Sequence, residues 1–256
     1  MSRTDEELLS AFKLAMLDTW WLPPENEIVD NAEILCIVGS STDCTVLQVR
    51  AADKSTVLKK FVARSKGRLI RAVTHPGDSP ALFTALRENG FRPHHNHDIC
   101  ALRLAGFVPR QHSCNAAPVL SWNAQLEGIK ITDAVFGGES RESSAALQHL
   151  LNILQAPRPR VARFIARHAE TGLGLGTGGI SLFEELGLAL LFGGCVLEEH
   201  RGQGVYSALL DARLTLAQAR GFDAVGIYAR HGTSAPIVER LGFEKLGEMQ
   251  YWKRTA

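Results

Sequence analysis

The apolar positions of this chain fall into two periods, one near 3.6 residues and one near 2, separated by clusters of Gly, Pro, Asn and Ser. Thr4 and Glu7 form a capping pair ahead of Leu8, Leu9 and Phe12, which predicts a first helix. Glu33 to Gly39 and Thr45 to Val49 read as a strand hairpin, Ser55 to Ser65 as a helix and Arg68 to Thr74 as a strand. A short helix starts at Ser79-Pro80 and stops at Gly90-Phe91, and a strand spans Ile99 to Leu104. Farther along, Leu147, Leu150, Leu151 and Leu154 place a helix over Glu139 to Gln155, ended by Pro157 and Pro159. Val161 to Arg167 alternates as a strand does, and Ala169 to Gly174 is a turn. Leu182 to Val196 holds the end of one strand, a tight turn and the apolar strand Leu188–Val196. A helical pattern from Val205 to Ala219 stops at Arg220-Gly221. A strand from Ala224 to Ala229 follows, then a short helix from Ser234 to Leu241 that stops at Gly242-Phe243, then a last strand from Gly247 to Lys253.

The two Gly-Phe stops suggest a repeat. In both, a Ser/Pro helix start leads through a short helix to Gly-Phe and then to a strand. The expected fold class is α/β (α+β), a mixed and mostly antiparallel sheet flanked by helices, in two domains, of which the first is either a degenerate copy related to the second or an unrelated α/β extension. Gly106, Pro109, Asn115 and Pro118 cluster between them, so the domains are drawn as residues 1–110 and 119–256.

The most informative segment joins the strand Leu188–Val196 to the helix Val205–Ala219. It contains Arg201-Gly202-Gln203-Gly204. A glycine turn before a helix N-terminus leaves several backbone N–H groups unpaired and pointing one way, and the helix dipole adds partial positive charge. The place suits a phosphate or pyrophosphate. Two glycines let the backbone approach a ligand with no Cβ between them, and Arg201 adds a fixed charge.

The run Arg201-Gly202-Gln203-Gly204-Val205-Tyr206, with the strand, short helix, Gly-Phe and strand that follow it, resembles the acyl-CoA-binding motif of the GNAT superfamily of N-acetyltransferases. The likeness covers roughly residues 119–252 and is specific over 188–243. Tyr206 stands where Gly or Ala is commoner. The resemblance implies acyl transfer, with acetyl-CoA as co-substrate and an amine of a small molecule or protein as acceptor. It assigns cofactor contacts to Cys195, Val196, Arg201, Gly202, Gln203, Gly204, Val205, Tyr206 and Ser234. The backbone near Cys195 and Val196 would steady the oxyanion and hold pantetheine. An alkylammonium must lose a proton before it attacks, and the departing thiolate gains from an acid. The family's usual acid, a Tyr four residues before the Gly of Gly-Phe, falls here on Val238, and the Asn often found earlier falls on His231. Tyr228 and His231 are therefore the candidates for the catalytic proton transfers. Glu184 and Glu185 are placed to meet a cationic substrate. A domain that holds acyl-CoA without turnover is the alternative. The first domain has no matching phosphate turn, which implies a degenerate copy that has lost the cofactor site.

Composition narrows the partners. A formal net charge of +1 gives no reason to expect nucleic acid or an anionic membrane. No apolar run approaches the roughly 20 residues that span a bilayer. The first residues carry no secretory pattern, and five scattered cysteines lack Cys-x-x-Cys spacing, which fits reduced thiols in the cytoplasm.

Three segments look functional and are read otherwise. Gly172 to Gly179 mimics a dinucleotide fingerprint but opens no helix, so it is read as a hairpin turn plus a strand needing close backbone approach. His94-His95-Asn96-His97-Asp98 has the residue types of a metal site, but neighbouring histidines do not converge unaided, so a solvated loop and no metal are expected. Trp20-Trp21 before Pro23-Pro24 reads as a packing staple at a helix end.

Overall fold

The computed structural model describes residues 3–20, 22, 25–39, 43–65, 67–137 and 144–255. In chain order its elements are α1 (Asp5–Leu17), β1 (Glu27–Asp30), β2 (Ile34–Val38), β3 (Asp43–Val49), α2 (Lys54–Arg64), β4 (Leu69–Thr74), α3 (Pro80–Glu88), β5 (Arg92–Arg103), β6 (Cys114–Pro118), α4 (Trp122–Phe136), α5 (Ser144–Leu154), β7 (Val161–His168), β8 (Gly174–Phe183), β9 (Leu188–Val196), α6 (Val205–Ala219), β10 (Ala224–Arg230), α7 (Ala235–Arg240) and β11 (Glu244–Arg254). The fold is mixed α/β with mostly antiparallel pairing. The capping box forms as expected: Thr4 Oγ accepts from Glu7 N–H, and the Thr4 N–H donates to the Glu7 carboxylate. Trp21, Pro23, Pro24 and residues 139–143 of the expected helix lie outside the described residues.

The chain forms two compact units. One holds Thr4–Cys100 and Tyr228–Ala256, and the other Ala101–Ile227 together with Arg3. The units therefore do not follow the sequence order of 1–110 and 119–256. The last strand explains the difference. β11 pairs antiparallel with β4, from Gln250↔Thr74 to Arg254↔Ile70, so the C-terminal segment belongs to the unit built from the chain's beginning.

In that first unit the strand order is β1-β2-β3-β4-β11-β5. β1, β2 and β3 form an antiparallel meander, and β3 and β4 are parallel with α2 as the crossover. Its core gathers Cys36, Val46, Leu58, Ile70, Leu86, Phe91 and Trp252. Trp252 is 1% exposed, and its indole N–H donates to Thr74 Oγ1 at 3.0 Å, which satisfies the one polar atom this large side chain buries.

The second unit has the order β10-β9-β8-β7-β6, antiparallel except for the parallel pair β9–β10. α4 packs on one face of β8, at Thr177, and α6 on the other, at Gly176 and Gly178. The glycine run of β8 follows from this packing, as the sequence suggested. A Cβ on Gly176 would lie 2.7 Å from the Cys195 carbonyl, one on Gly178 2.9 Å from Arg213 Nη1, and one on Gly179 2.2 Å from the Phe192 ring. The five cysteines are free and buried, and burial raises the thiols of Cys36 to about 12 and Cys100 to about 11, so both are inert at neutral pH. No described helix is long and apolar enough to cross a membrane.

Candidate functional site

β9 is the strand that leads into the site. It runs regularly along β8 as far as Phe192↔Gly179, and the register then shifts before Cys195↔Thr177. The shift is a bulge at Gly193-Gly194, where Gly193 takes φ +57° and lies exposed. Two glycines inside an apolar strand are the usual sequence sign of such a bulge. On its other edge β9 pairs with β10 only from Ala189↔Val225 to Leu191↔Ile227, although β9 continues to Val196. The bulged end thus offers backbone groups that the parallel ladder does not use.

Past Val196 the chain makes a short 3-10 turn, Glu198–His200, and enters the glycine loop. Arg201 Nε donates to the Val196 carbonyl at 3.3 Å, and Gln203 Nε2 donates to the Glu199 carbonyl at 3.0 Å. These two bonds tie the loop to the strand end. Gly202 and Gly204 hold φ of +73° and +81°. Gly204 is the N-cap of α6 and brings no side chain to cap it, so the first-turn N–H groups meet no side-chain acceptor from the cap. A Cβ on Gly202 or Gly204 would meet no heavy atom within 4 Å, so the space in front of the helix N-terminus is open. Val205 is buried beneath the loop. The residues from Arg201 to Val205 therefore fit a pyrophosphate: open donors, a helix dipole and no obstructing side chain.

Behind the bulge lies a residue that the pattern did not single out. Arg213, on α6, is 0% exposed; its Nε donates to the Leu209 carbonyl at 2.8 Å and its Nη1 to the Gly179 carbonyl at 3.4 Å. Its guanidinium lies 5.8 Å from the Tyr206 ring centroid, and Nη2 has no partner. Tyr206 replaces the small residue expected in the first turn, and its ring would lie 3.1 Å from a Cβ on Gly194. Gly178, Gly194, Tyr206 and Arg213 form one packed set, and desolvation lowers the Arg213 pKa. Cys195, on the same strand, is buried, and burial raises its thiol, which suits a backbone contributor better than a nucleophile.

The other three expected site residues, Tyr228, His231 and Ser234, belong to the first unit. The Tyr228 hydroxyl donates to the Phe12 carbonyl at 2.8 Å, its ring stands edge-on to Phe12 at 5.2 Å, and burial raises its pKa well above the usual phenol range. The hydroxyl is thus protonated, but its proton is directed at the backbone of α1. The His231 imidazole is half exposed, with Nε2 3.0 Å from Asp98 Oδ1. Ser234 Oγ accepts from the Arg230 N–H at 2.7 Å and makes no cap bond to α7. Val238, at the position of the usual acid, is 1% exposed. In the second unit Glu184 is taken by Arg158 and Arg220, and Glu185 by Arg160, so neither carboxylate stands unpaired for a cationic substrate.

The histidine run is not a loop. It lies within β5, where His95 stacks on Tyr251 at 4.7 Å and His97 stands edge-on to it at 5.1 Å. Aromatic packing on β11 extends the strand through residues whose polarity suggested solvent. Burial pushes His97 down to about 4, which leaves it neutral. Asp98, His231 and Glu248 place ligand atoms within 4.8 Å of one another. The Lys245 ammonium already sits 2.8 Å from Asp98 and 2.6 Å from Glu248, so the positive charge of that cluster is supplied by the chain itself.

No family model matches the sequence, and no curated protein matches it either. Solved structures do match, along nearly the whole chain. It is similar to a GCN5-related N-acetyltransferase from Kribbella flavida, with 16% identity and a TM-score of 0.66, covering 100% of this chain and 97% of that one. It is similar to a tandem GNAT protein from the clavulanic acid biosynthesis pathway, with 15% identity and a TM-score of 0.68 over 98% and 94% of the two chains. A GCN5-related N-acetyltransferase from Sphaerobacter thermophilus gives 15% identity and a TM-score of 0.62 over 89% and 82%. At these identities the likeness establishes the fold, which is GNAT-like and of the tandem form.

Proposed function

We propose that this protein is an N-acyltransferase that moves an acetyl group from acetyl-CoA to an amine of a small molecule or protein by direct attack. The observation that carries the reading is the loop Arg201–Val205, with its two left-handed glycines, open space and uncapped helix start, placed directly after a strand bulged at Gly193-Gly194. Acetyl-CoA would supply the activated acyl group. The loop would hold its pyrophosphate, with Arg201 adding charge, and the backbone from Gly193 to Val196 would hold pantetheine and steady the carbonyl oxygen. Tyr228 and His231 remain the proposed proton carriers. His231 is the better placed for this, since it is half exposed while the Tyr228 hydroxyl is engaged with Phe12. The likeness to the N-acetyltransferases from Kribbella flavida and Sphaerobacter thermophilus supports the reaction class.

A second reading, a domain that holds acyl-CoA without turnover, is favoured by Val238 at the place of the usual acid and by the engaged Tyr228. Thiol release separates the two. Free CoA formed from acetyl-CoA only when an amine is present supports transfer. Acetyl-CoA binding without release across polyamines, amino acids, aminoglycosides and peptides sinks it.

A further inference from the structure

α6 is the crossover between the parallel strands β9 and β10, as α2 is between β3 and β4. The two helices differ in the charge they carry. α2 begins at Asp53, whose carboxylate accepts the Thr56 N–H at 3.0 Å, and it buries only the apolar Val57 and Leu58. The negative charge that a phosphate would bring to that helix start is already present, so a second anion would be repelled. α6 begins at a bare glycine and buries Arg213.

Arg213 is the only buried arginine or lysine among the described residues. Its guanidinium is wedged against two strands. A Cβ on Gly178 of β8 would lie 2.9 Å from Nη1, and one on Gly194 of β9 would lie 3.5 Å from Nη1 and 3.6 Å from Nη2. Gly178 falls between the pairs Thr177↔Cys195 and Gly179↔Phe192, so it stands opposite Gly193 and Gly194. The charge therefore lies directly behind the bulge, one residue along the strand from the exposed Gly193.

A charge in that place is costly. An arginine keeps its proton even when buried, and desolvation works against it. The groups that favour the charge are Tyr206 and Cys195, and no carboxylate is among them. Two carbonyls, of Leu209 and Gly179, take bonds from Nε and Nη1, while Nη2 has none. A methionine or leucine would fill the space between α6 and β8 without this cost. What only a cation supplies is a field. In a water-poor interior a fixed positive charge acts over several ångströms and needs no contact with the group it stabilises.

We propose that Arg213 is a positioning residue for acyl transfer, a fixed charge that polarises, through the bulge, a thioester carbonyl held by the backbone of Gly193 to Val196. This rests on the reading of that backbone as the acetyl-CoA site. In the reaction the amine nitrogen bonds to the carbonyl carbon and the C=O electron pair moves onto oxygen. The pair then returns, the C–S bond breaks, and the proton lost by the amine ends on the thiol of CoA. Arg213 favours the stage at which oxygen carries the charge, and it takes no part in the proton transfers.

Infrared spectroscopy of acetyl-CoA labelled with heavy carbon at its carbonyl, bound to the full chain without an amine, tests this. The carbonyl stretch should fall below that of free acetyl-CoA in wild type. Arg213→Met should lose at least about half of that shift, while its Kd for acetyl-CoA from calorimetry stays within about 3-fold. Arg213→Lys, which keeps the charge, should retain most of the shift. Arg213→Gln, which can still donate to the Gly179 carbonyl, is a second uncharged variant and should match Arg213→Met. With an amine present, kcat of the uncharged variants should fall about 10- to 100-fold with little change in KM for acetyl-CoA. Acetyl-CoA bound by wild type with an unshifted carbonyl, a shift that survives in the uncharged variants, or Arg213→Lys behaving as they do would overturn the proposal alone. No binding of acetyl-CoA to wild type would remove the reading of the site and this proposal with it.

Discussion

Gly204→Asn separates what the loop does for folding from what it does for a ligand. Gly204 sits at φ +81° and ψ −1°, a left-handed conformation that costs an ordinary L-residue roughly 1–2 kcal/mol. No heavy atom lies within 4 Å of the added Cβ, so no packing strain adds to that figure. For a chain of this size the penalty for Gly204→Ala amounts to roughly 2–8 °C in Tm, and Asn, which tolerates the left-handed region, should lose about half as much. Either side chain enters the space in front of the α6 N–H groups. Wild type with acetyl-CoA at about 100 times Kd should gain roughly 2.7 kcal/mol, or roughly 5–11 °C. Gly204→Asn should fold and gain almost nothing. Gly221→Asn is the matched control: Gly221 has φ +82° and the same open surroundings, but stands at the other end of α6. It should show a similar loss of Tm and the full ligand shift. Thermal melts of the three proteins, with and without acetyl-CoA, decide the matter. A full shift in Gly204→Asn, or an equal loss of shift in Gly221→Asn, would refute the assignment of this loop.

Titration calorimetry should give one CoA site per chain, because Asp53 occupies the helix start in the other crossover; two equivalent sites would contradict this. Asp211→Asn should cost stability at neutral pH and little in acid. Burial raises the Asp211 pKa, but hydrogen bonds from Arg110 and His112 outweigh it and hold the carboxyl below its usual range. The stabilisation is therefore present above the ordinary Asp value near 3.9 and is lost as pH falls through the lower folded value. Chemical melts of both proteins as a function of pH should converge there, and a gap that persists in strong acid would count against the ion pair. Tyr228→Phe should lower stability by about 0.5–1.5 kcal/mol through loss of the bond to Phe12, whereas His231→Ala should leave acetyl-CoA affinity intact and lower kcat about 100-fold. Unchanged kcat and pH profile in His231→Ala would remove it from the reaction.

The parts of the fold legible in the sequence are those whose signals are local. β9 and α6 have legible bounds because an apolar run, a glycine turn and a glycine stop follow one another. β1 was not legible because Glu27–Asp30 is short and mostly exposed. α4 hides its face by burying Gln125 and Gly128 beside Ile131, and β6, with only Cys114 buried, has the pattern of a linker. The polar half of β5 depends on Tyr251, about 150 residues away in the chain, and the membership of Tyr228–Ala256 in the first unit depends on pairs such as Gln250↔Thr74. Arg213 was not legible either, since only the assembled sheet shows that the β8 glycines make room for a guanidinium.

The Gly-Phe echo carries a further lesson, about where function can be read. α3, α6 and α7 end in the same way. The N–H groups of Phe91, Phe222 and Phe243 donate to the carbonyls of Leu86, Ala217 and Val238 at 3.0, 3.1 and 3.1 Å, across glycines at φ +81°, +82° and +91°. All three phenylalanines are buried. This closure satisfies helix-end carbonyls and anchors the next strand in the core, which any copy of the fold needs whatever it binds. It therefore occurs in both units and says nothing about a ligand. The helix starts do differ, Gly204 in one and Asp53 in the other, and only there does a change of residue alter what an anion meets. The repeat is evidence for common architecture, and the difference at its two helix starts is the evidence for divided chemistry.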